Sequence, residues 1–274
     1  MTLRIGIVQT TTGIDPAAEA VALAAAIADL AGQGAQIVFT PEMSGYLDRN
    51  RQRARAIVVG EDADVVLAAV CAAARENRVW VHLGSLALAA GGDLFANRGF
   101  LIDDAGAIHA RYDKIHLFDV QLPGGETYRE SAAYQPGAHA VMAQTPWGGL
   151  GLTICYDVRF PALYRALAAA GASILSVPAA FTRPTGAAHW HVLLRARAIE
   201  TGSFVVAAAQ TGDHADGRAT YGHSLVIAPW GDVLLDMGET PGNAVVDIDL
   251  SAVAEARGRV PALAHGRDFA IHTA

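Results

Sequence analysis

Apolar residues along the chain fall into two kinds of run: short runs rich in Val and Ile, and longer runs rich in Ala and Leu. Short apolar runs bounded by turn residues indicate buried strands, whereas long periodic runs indicate helices. The pattern predicts helices over 16–31, 62–77, 161–171 and 189–202. It predicts strands over 3–10, 35–40, 79–88, 97–103, 107–113, 147–155, 172–180, 203–210, 222–231, 232–237 and 243–250.

Strands and helices alternate along the chain, which predicts an α/β layered fold. The turn Asp104-Ala105-Gly106 lies between two predicted strands and indicates a hairpin, so we expect mixed rather than purely parallel sheets. Segment 115–139 contains several Pro and Gly residues and predicts a long functional loop. With no linker or low-complexity block, residues 1–274 predict one domain, in which 258–274 is a C-terminal tail.

Composition excludes several classes of function. The formal net charge is -7, which argues against a nucleic-acid partner because such proteins cluster Lys and Arg. No run of 18 uncharged apolar residues is present, so a membrane partner is not expected. The first ten residues lack the pattern of a signal peptide, which favours a cytoplasmic protein.

Three polar residues stand where predicted strands end: Glu42, Lys114 and Cys155. Sites collect at such ends because rigid strands direct side chains into a shared crevice. A thiol needs a base to become a nucleophile, a carboxylate can supply it, and an ammonium can stabilise an oxyanion. These residue types suffice for acyl transfer, but the spacing also allows a core cysteine, a surface lysine and a loop glutamate.

The second cysteine and a pair of histidines have simpler interpretations. Cys71 lies in the apolar run VVLAAVCAAARE, which predicts a small core residue. His189 and His191 are two positions apart on a predicted helix, so their side chains point to different faces. We therefore expect no metal there.

Ordered local strings are more specific than these patterns. The chain resembles the carbon–nitrogen hydrolase (nitrilase) superfamily, and within it the Nit branch of ω-amidases and deaminated glutathione amidases. The resemblance covers nearly the whole chain and rests on TPEMSGY (40–46), RYDKIHLFD (111–119), GLTICYDVRFP (151–161), TGAAHWHVLLRARAIET (185–201), YGHSLVIAPWGDVL (221–234) and VPALAHGRDF (260–269).

The resemblance implies roles for matching residues. Cys155 matches the nucleophile, Lys114 the stabilising lysine and Glu42 the general base, while the backbone N–H of Tyr156 would be a second oxyanion donor. A second glutamate matches Glu130, and Glu126, four residues earlier, stays open as the alternative.

The fold implied by the resemblance is a four-layer αββα sandwich that pairs as a homodimer or higher homo-oligomer, with helices 161–171 and 189–202 as candidates for the interface. The activity implied is hydrolysis of a small amide to a carboxylic acid and ammonia, with no cofactor. A nitrilase, or a catalytically idle binding protein, is the alternative function.

Substrate contacts are harder to assign. The Arg159 guanidinium suits a substrate carboxylate, because its planar fork forms two parallel hydrogen bonds. An ion pair with Asp157 or another acid is the structural alternative. Tyr46, Phe181 and Thr182 are further candidates for the pocket wall. The acyl group and the oligomer size stay open.

Overall fold

The computed structural model describes residues 1–122 and 125–273. Pro123 and Gly124, which belong to the predicted loop 115–139, lie outside the described residues. Helices are α1 (Pro16–Gly32), α2 (Arg51–Ile57), α3 (Val65–Asn77), α4 (Pro161–Ala169), α5 (Arg183–Thr201) and α6 (Ser251–Arg259). Strands are β1 (Thr2–Gln9), β2 (Ile37–Phe39), β3 (Trp80–Ala89), β4 (Phe95–Ile102), β5 (Ile108–Asp113), β6 (Asp119–Gln121), β7 (Thr127–Arg129), β8 (Val141–Thr145), β9 (Gly148–Leu152), β10 (Ala172–Ser176), β11 (Phe204–Ala207), β12 (Thr211–Asp213), β13 (Ala219–Tyr221), β14 (Leu225–Ile227), β15 (Val233–Asp236) and β16 (Gly242–Asp249).

Two six-stranded sheets have the same construction. The first has the order β16-β1-β2-β3-β4-β5 and the second β15-β14-β11-β10-β9-β8. In each sheet three neighbouring strands run parallel, β1-β2-β3 in the first and β9-β10-β11 in the second. The remaining strands pair antiparallel on either side. The mixed α/β sandwich predicted from the sequence is confirmed.

The buried residues of β1 show how the layers are built. Leu3, Ile5 and Ile7 belong to the apolar cluster that also contains the strands of the second sheet. Val8 belongs instead to the cluster formed with α1 and α3. Because successive side chains of a strand point to opposite faces, one apolar strand serves both layers. The sheets therefore pack face to face, with helices outside.

The helices and strands differ from the sequence prediction mainly at their ends. Helix α5 begins at Arg183, earlier than predicted, because Pro184 suits the first turn of a helix. Helices α2 and α6 and strand β8 were not predicted, since their residues show no clear apolar periodicity. The predicted loop 115–139 contains the short pair β6–β7 and a 3₁₀ turn at Glu130–Ala132.

Among the described residues, no helix has the length and apolar character needed to cross a bilayer. Beyond α6 the chain has turns but no further helix or strand up to residue 273.

Gly84, within β3, is a point of close approach between the two sheets. A Cβ at this position would lie 2.2 Å from the Thr40 carbonyl oxygen, 2.4 Å from that of Pro41 and 2.5 Å from the Pro178 Cβ. Thr40 and Pro41 lead into Glu42, and the Pro178 carbonyl accepts a hydrogen bond from the Cys155 N–H, 2.8 Å away. A glycine here lets the segments that carry two candidate site residues approach each other.

We expect Gly84→Ala to lower the free energy of unfolding by about 1–3 kcal/mol, the usual cost of overpacking a core. Its neighbours are backbone atoms and a proline ring, which yield little. Gly60→Ala is the matched control, because a Cβ there meets nothing within 4 Å. Urea unfolding followed by circular dichroism measures both. Equal stability of the two variants would contradict the close approach.

Candidate active site

Glu42, Lys114 and Cys155 lie together at the base of one cavity, although they are far apart in sequence. All three are buried, with exposures of 4%, 2% and 7%. The Lys114 Nζ donates to Glu42 Oε1 at 2.8 Å. Glu42 and Lys114 come from the loops that follow β2 and β5 of the first sheet, and Cys155 follows β9 of the second. The cluster therefore spans both sheets.

A second carboxylate completes the surroundings of the ammonium. Glu130 accepts from Lys114 Nζ at 2.9 and 3.1 Å and from the Phe118 N–H at 2.6 Å. Glu126, the alternative from the sequence, is exposed, and among the described residues its carboxylate accepts a hydrogen bond only from the Tyr128 hydroxyl, at 3.5 Å. Of the two candidates for the second glutamate, Glu130 is therefore the one that contacts Lys114.

Asn97 is a buried site residue that the sequence did not indicate. Its amide Nδ2 lies 2.9 Å from Glu42 Oε1 and 3.3 Å from Glu130 Oε1, and donates to both. The Ala180 N–H donates to the other oxygen of Glu42 at 2.9 Å. Asn97 therefore bridges the two carboxylates, and together with the Ala180 N–H it fixes the orientation of Glu42.

The nucleophile candidate sits on a strained turn. Cys155 has φ +51°, a left-handed conformation that is uncommon for residues other than glycine, and it opens a 3₁₀ helix over Cys155–Arg159. Among the described residues, the Tyr156 N–H that follows has no hydrogen-bond acceptor. A free N–H beside a thiol is the arrangement an oxyanion requires.

Asp157 anchors this turn. Its carboxylate is fully buried and accepts from the Ile154 N–H at 2.9 Å, the Tyr112 hydroxyl at 2.7 Å and the His116 N–H at 3.1 Å. The turn is thereby tied to β5, which leads into Lys114. Among the described residues neither Asp157 nor another acid forms an ion pair with Arg159, whose guanidinium lies near His189 instead, so the structural alternative considered for that arginine is wrong.

The charges in the cluster support one another. Burial alone would lower the pKa of Lys114, but the Glu130 and Glu42 charges outweigh it and raise that pKa well above 10.5. Burial alone would raise the pKa of Glu42, but the Lys114 ammonium and hydrogen bonds leave it below 4.5. Burial first, and then the Glu42 charge, raise the pKa of Cys155 well above 9.0. The resting site therefore holds a carboxylate, an ammonium and a neutral thiol.

The cavity above the thiol has a volume of about 530 Å³. Three residues predicted as substrate contacts, Tyr46, Phe181 and Thr182, line it. Arg159 does not line it. Its guanidinium lies over the rings of Tyr156 and Phe181, at 5.8 and 5.6 Å, and 3.2 Å from His189 Nδ1.

Four other arginines stand at the rim of the cavity: Arg49, Arg51, Arg129 and Arg218. Arg218 is bonded to Asp216 at 2.7 Å, and Arg49 is 3.9 Å from the same carboxylate. In the described part of the chain, the Arg51 and Arg129 side chains pair with no carboxylate. The rim is thus cationic although the protein carries a net negative charge. The spacing of these arginines in the sequence did not predict the cluster, because three separate segments supply them.

Comparison with known proteins agrees with this geometry. Residues 4–258 match the family model described as carbon-nitrogen hydrolase. The chain is 42% identical over 237 residues to a deaminated glutathione amidase of Yersinia enterocolitica, covering 85% of this chain and 82% of that protein. The chain belongs to the carbon–nitrogen hydrolase family of the nitrilase superfamily. It is an enzyme, an amidase that acts on non-peptide carbon–nitrogen bonds.

Solved structures extend the comparison. The Caenorhabditis elegans NitFhit protein superimposes with a TM-score of 0.89 at 37% identity, over 97% of this chain and 65% of that longer one. An amidase from Nesterenkonia sp. AN1, with acrylamide added at its active-site cysteine, superimposes with a TM-score of 0.79 at 30% identity, over 94% of this chain and 98% of that one.

Lys114 offers a direct test of the electrostatics, because it is the only lysine in the sequence. Labelling with ¹⁵N-lysine therefore gives one side-chain signal. We expect this signal to report a charged ammonium from pH 6 to beyond 10.5, since the pKa is raised. In Glu130→Gln the titration should move to lower pH, because the largest charge that raises the pKa of Lys114 is gone. A wild-type midpoint near or below 10.5 would contradict the buried ion cluster.

Proposed function

We propose that the protein hydrolyses a small carboxylate-bearing amide through a thioester on Cys155, with Glu42 as general base and Lys114 as oxyanion stabiliser. The observation that carries the proposal is the buried cluster in which the Lys114 ammonium donates a hydrogen bond of 2.8 Å to the Glu42 carboxylate, with the buried Cys155 thiol in the same cavity. A thiol that is protonated at rest needs a base at the moment of attack, and Glu42 is ionised and adjacent.

The reaction follows from these protonation states. Glu42 takes the Cys155 proton as Sγ attacks the amide carbon, and the Lys114 ammonium and the Tyr156 N–H meet the charge that develops on oxygen. Glu42 then gives the proton to the amine, which leaves as ammonia from a primary amide. A water molecule next attacks the thioester carbon while Glu42 accepts a proton from it. Glu42 returns that proton to the departing Cys155 thiolate as the carboxylic acid forms. Glu130 positions Lys114 and Asn97.

The relatives support this assignment. In a mutant of the Nesterenkonia amidase, acrylamide is added at the active-site cysteine. We propose that Cys155 is the active-site cysteine of this chain. Cys71, the other cysteine, is half-buried and packs against the cluster between the first sheet and its helices. We infer from the relatives named for deaminated glutathione that the acyl part of the substrate is polar and carries a carboxylate.

The rim supplies a place for that carboxylate. Within the described residues, Arg51 and Arg129 line the cavity and form no ion pair with a carboxylate, and guanidinium groups bind carboxylates through paired hydrogen bonds. We propose that the amide end of the substrate reaches Cys155 while its distal carboxylate lies at this rim. Arg159, the candidate from the sequence, instead supports the cavity wall by its contacts with Tyr156 and Phe181.

We also propose a homodimer formed through the face of α4 and α5, as the family resemblance implies. Val192, Ile199 and Trp230 are 69%, 54% and 55% exposed on the side of α5, and exposed apolar groups of this size favour a protein partner. The cytoplasmic location stays a prediction of the sequence.

Glu42→Gln tests the base. Glutamine keeps the size of the side chain but cannot accept a proton, so we expect acylation to slow by about a hundredfold or more. Circular dichroism should show an intact fold. Single-turnover ammonia release, with mass spectrometry of the acyl-enzyme, measures the step. The matched control is Glu126→Gln, which changes an exposed acid on the same cavity and should keep near-normal turnover. Normal acylation by Glu42→Gln would remove Glu42 from this role.

Arg51→Gln and Arg129→Gln test the rim. Each lost guanidinium should cost about 1 kcal/mol, roughly a fivefold rise in KM for glutaramate. Turnover of butyramide, which has no carboxylate, should be unchanged. Arg55→Gln is the control, because Arg55 lies one helical turn from Arg51 but outside the cavity lining. Equal effects on both amides would assign these arginines to structure instead.

A further inference from the structure

Three metal-ligating side chains meet at a place that the hydrolytic site does not use. His191 comes from α5, His223 from the loop between β13 and β14, and Asp236 from the end of β15. None of them lines the catalytic cavity. The sequence predicted that His189 and His191 point to different faces of their helix, and in the structure His189 is exposed and faces Arg159, whereas His191 faces Asp236.

The two imidazoles face one carboxylate. His191 Nε2 lies 3.0 Å from Asp236 Oδ2, and His223 Nδ1 lies 2.8 Å from Asp236 Oδ1. One ligand atom from each residue falls within 4.8 Å of the others. Two ligand atoms bound to the same ion at about 2.1 Å are roughly 3.0–3.4 Å apart, by the geometry of tetrahedral or octahedral sites. The two imidazole–carboxylate separations are close to that range, and since the three ligand atoms lie within 4.8 Å of one another, side-chain rotations would bring them around one ion.

His223 is held in place from several sides. Its φ is +53°, and a left-handed residue other than glycine persists only where its surroundings enforce it. Its N–H donates to the Gly238 carbonyl at 2.6 Å, and its carbonyl accepts from Trp190 Nε1 at 2.8 Å. Its ring stacks on Tyr221, with centroids 4.5 Å apart. The imidazole is therefore directed at Asp236 before any ion binds.

A further carboxylate lies on the other side of the same ring. Glu239 Oε1 is 4.0 Å from His223 Nε2. Histidine ligands usually direct their second nitrogen at a carboxylate or carbonyl, which fixes the tautomer and strengthens the ligand. If Nδ1 binds the ion, Glu239 is in the position of that outer partner.

We propose that His191, His223 and Asp236 bind one divalent transition-metal ion of the zinc class. Two imidazoles favour such an ion over Mg²⁺ or Ca²⁺, which prefer oxygen ligands. The side chains are 33%, 20% and 35% exposed, so water completes the coordination. The ion joins α5 to the edge of the second sheet. Its effect is on stability, since catalysis at Cys155 proceeds without it.

Isothermal titration of the tag-free, chelator-treated protein with ZnCl₂ tests the proposal. We expect one ion per chain, and at about a hundredfold excess over Kd a rise in Tm of about 5 °C or more. Titration of Cys155→Ala should give the same result, which separates this site from zinc binding at the thiol. Ammonia release should persist after chelation.

Two ligand variants and one neighbour sharpen the result. His191→Gln and Asp236→Asn keep side-chain size, and each should weaken zinc binding at least tenfold and remove the Tm rise. His189→Gln, two residues along the same helix, should bind zinc as the unaltered protein does. Absence of a saturable one-to-one event would overturn the proposal. So would zinc binding that Asp236→Asn leaves unchanged, or that only Cys155→Ala removes.

Discussion

The structure of the site depends on one buried ammonium held between two carboxylates. Burying a charge is costly unless partners and hydrogen bonds compensate for the lost water. Lys114 has Glu42 and Glu130, and those acids in turn receive donors from Asn97 and from main-chain N–H groups. Because the cluster already carries one cation and two anions, it disfavours a third anion. That balance keeps the thiol neutral until a substrate carbonyl can receive its electron pair.

Much of the fold was accessible from the sequence, because apolar runs with a clear period show which faces are buried. The β1 segment and the hairpin of β4 and β5 are examples. Glu42, Lys114 and Cys155 were accessible for a related reason: each lies shortly after the end of a strand, and such ends converge on one edge. Their ordered local strings then separated an amidase from the many α/β proteins with the same layers.

Other features of the site could not be predicted from the local sequence. Asn97 lies inside β4, where nothing in the spacing distinguishes it from a structural polar residue. The Ala180 and Tyr156 N–H groups belong to the main chain and depend only on the path of the loops. Arg159 was favoured because it closely follows the nucleophile, but a turn tied down by Asp157 directs it to a wall of aromatic rings. The positions of all these groups depend on contacts between segments that are distant in the sequence.

The common construction of the two sheets has a consequence for how activity is tied to shape. The first sheet carries Glu42 and Lys114, the second carries Cys155, and Gly84 lets the two sheets come close. Neither sheet alone carries all three residues of the proposed site. A sliding movement of one sheet against the other by about an ångström would separate the Cys155 thiol from the Glu42 carboxylate while leaving every strand and helix intact. In the proposed mechanism, the activity of this enzyme therefore depends on how the two sheets are aligned where they meet, and a change in activity would report a change in that alignment.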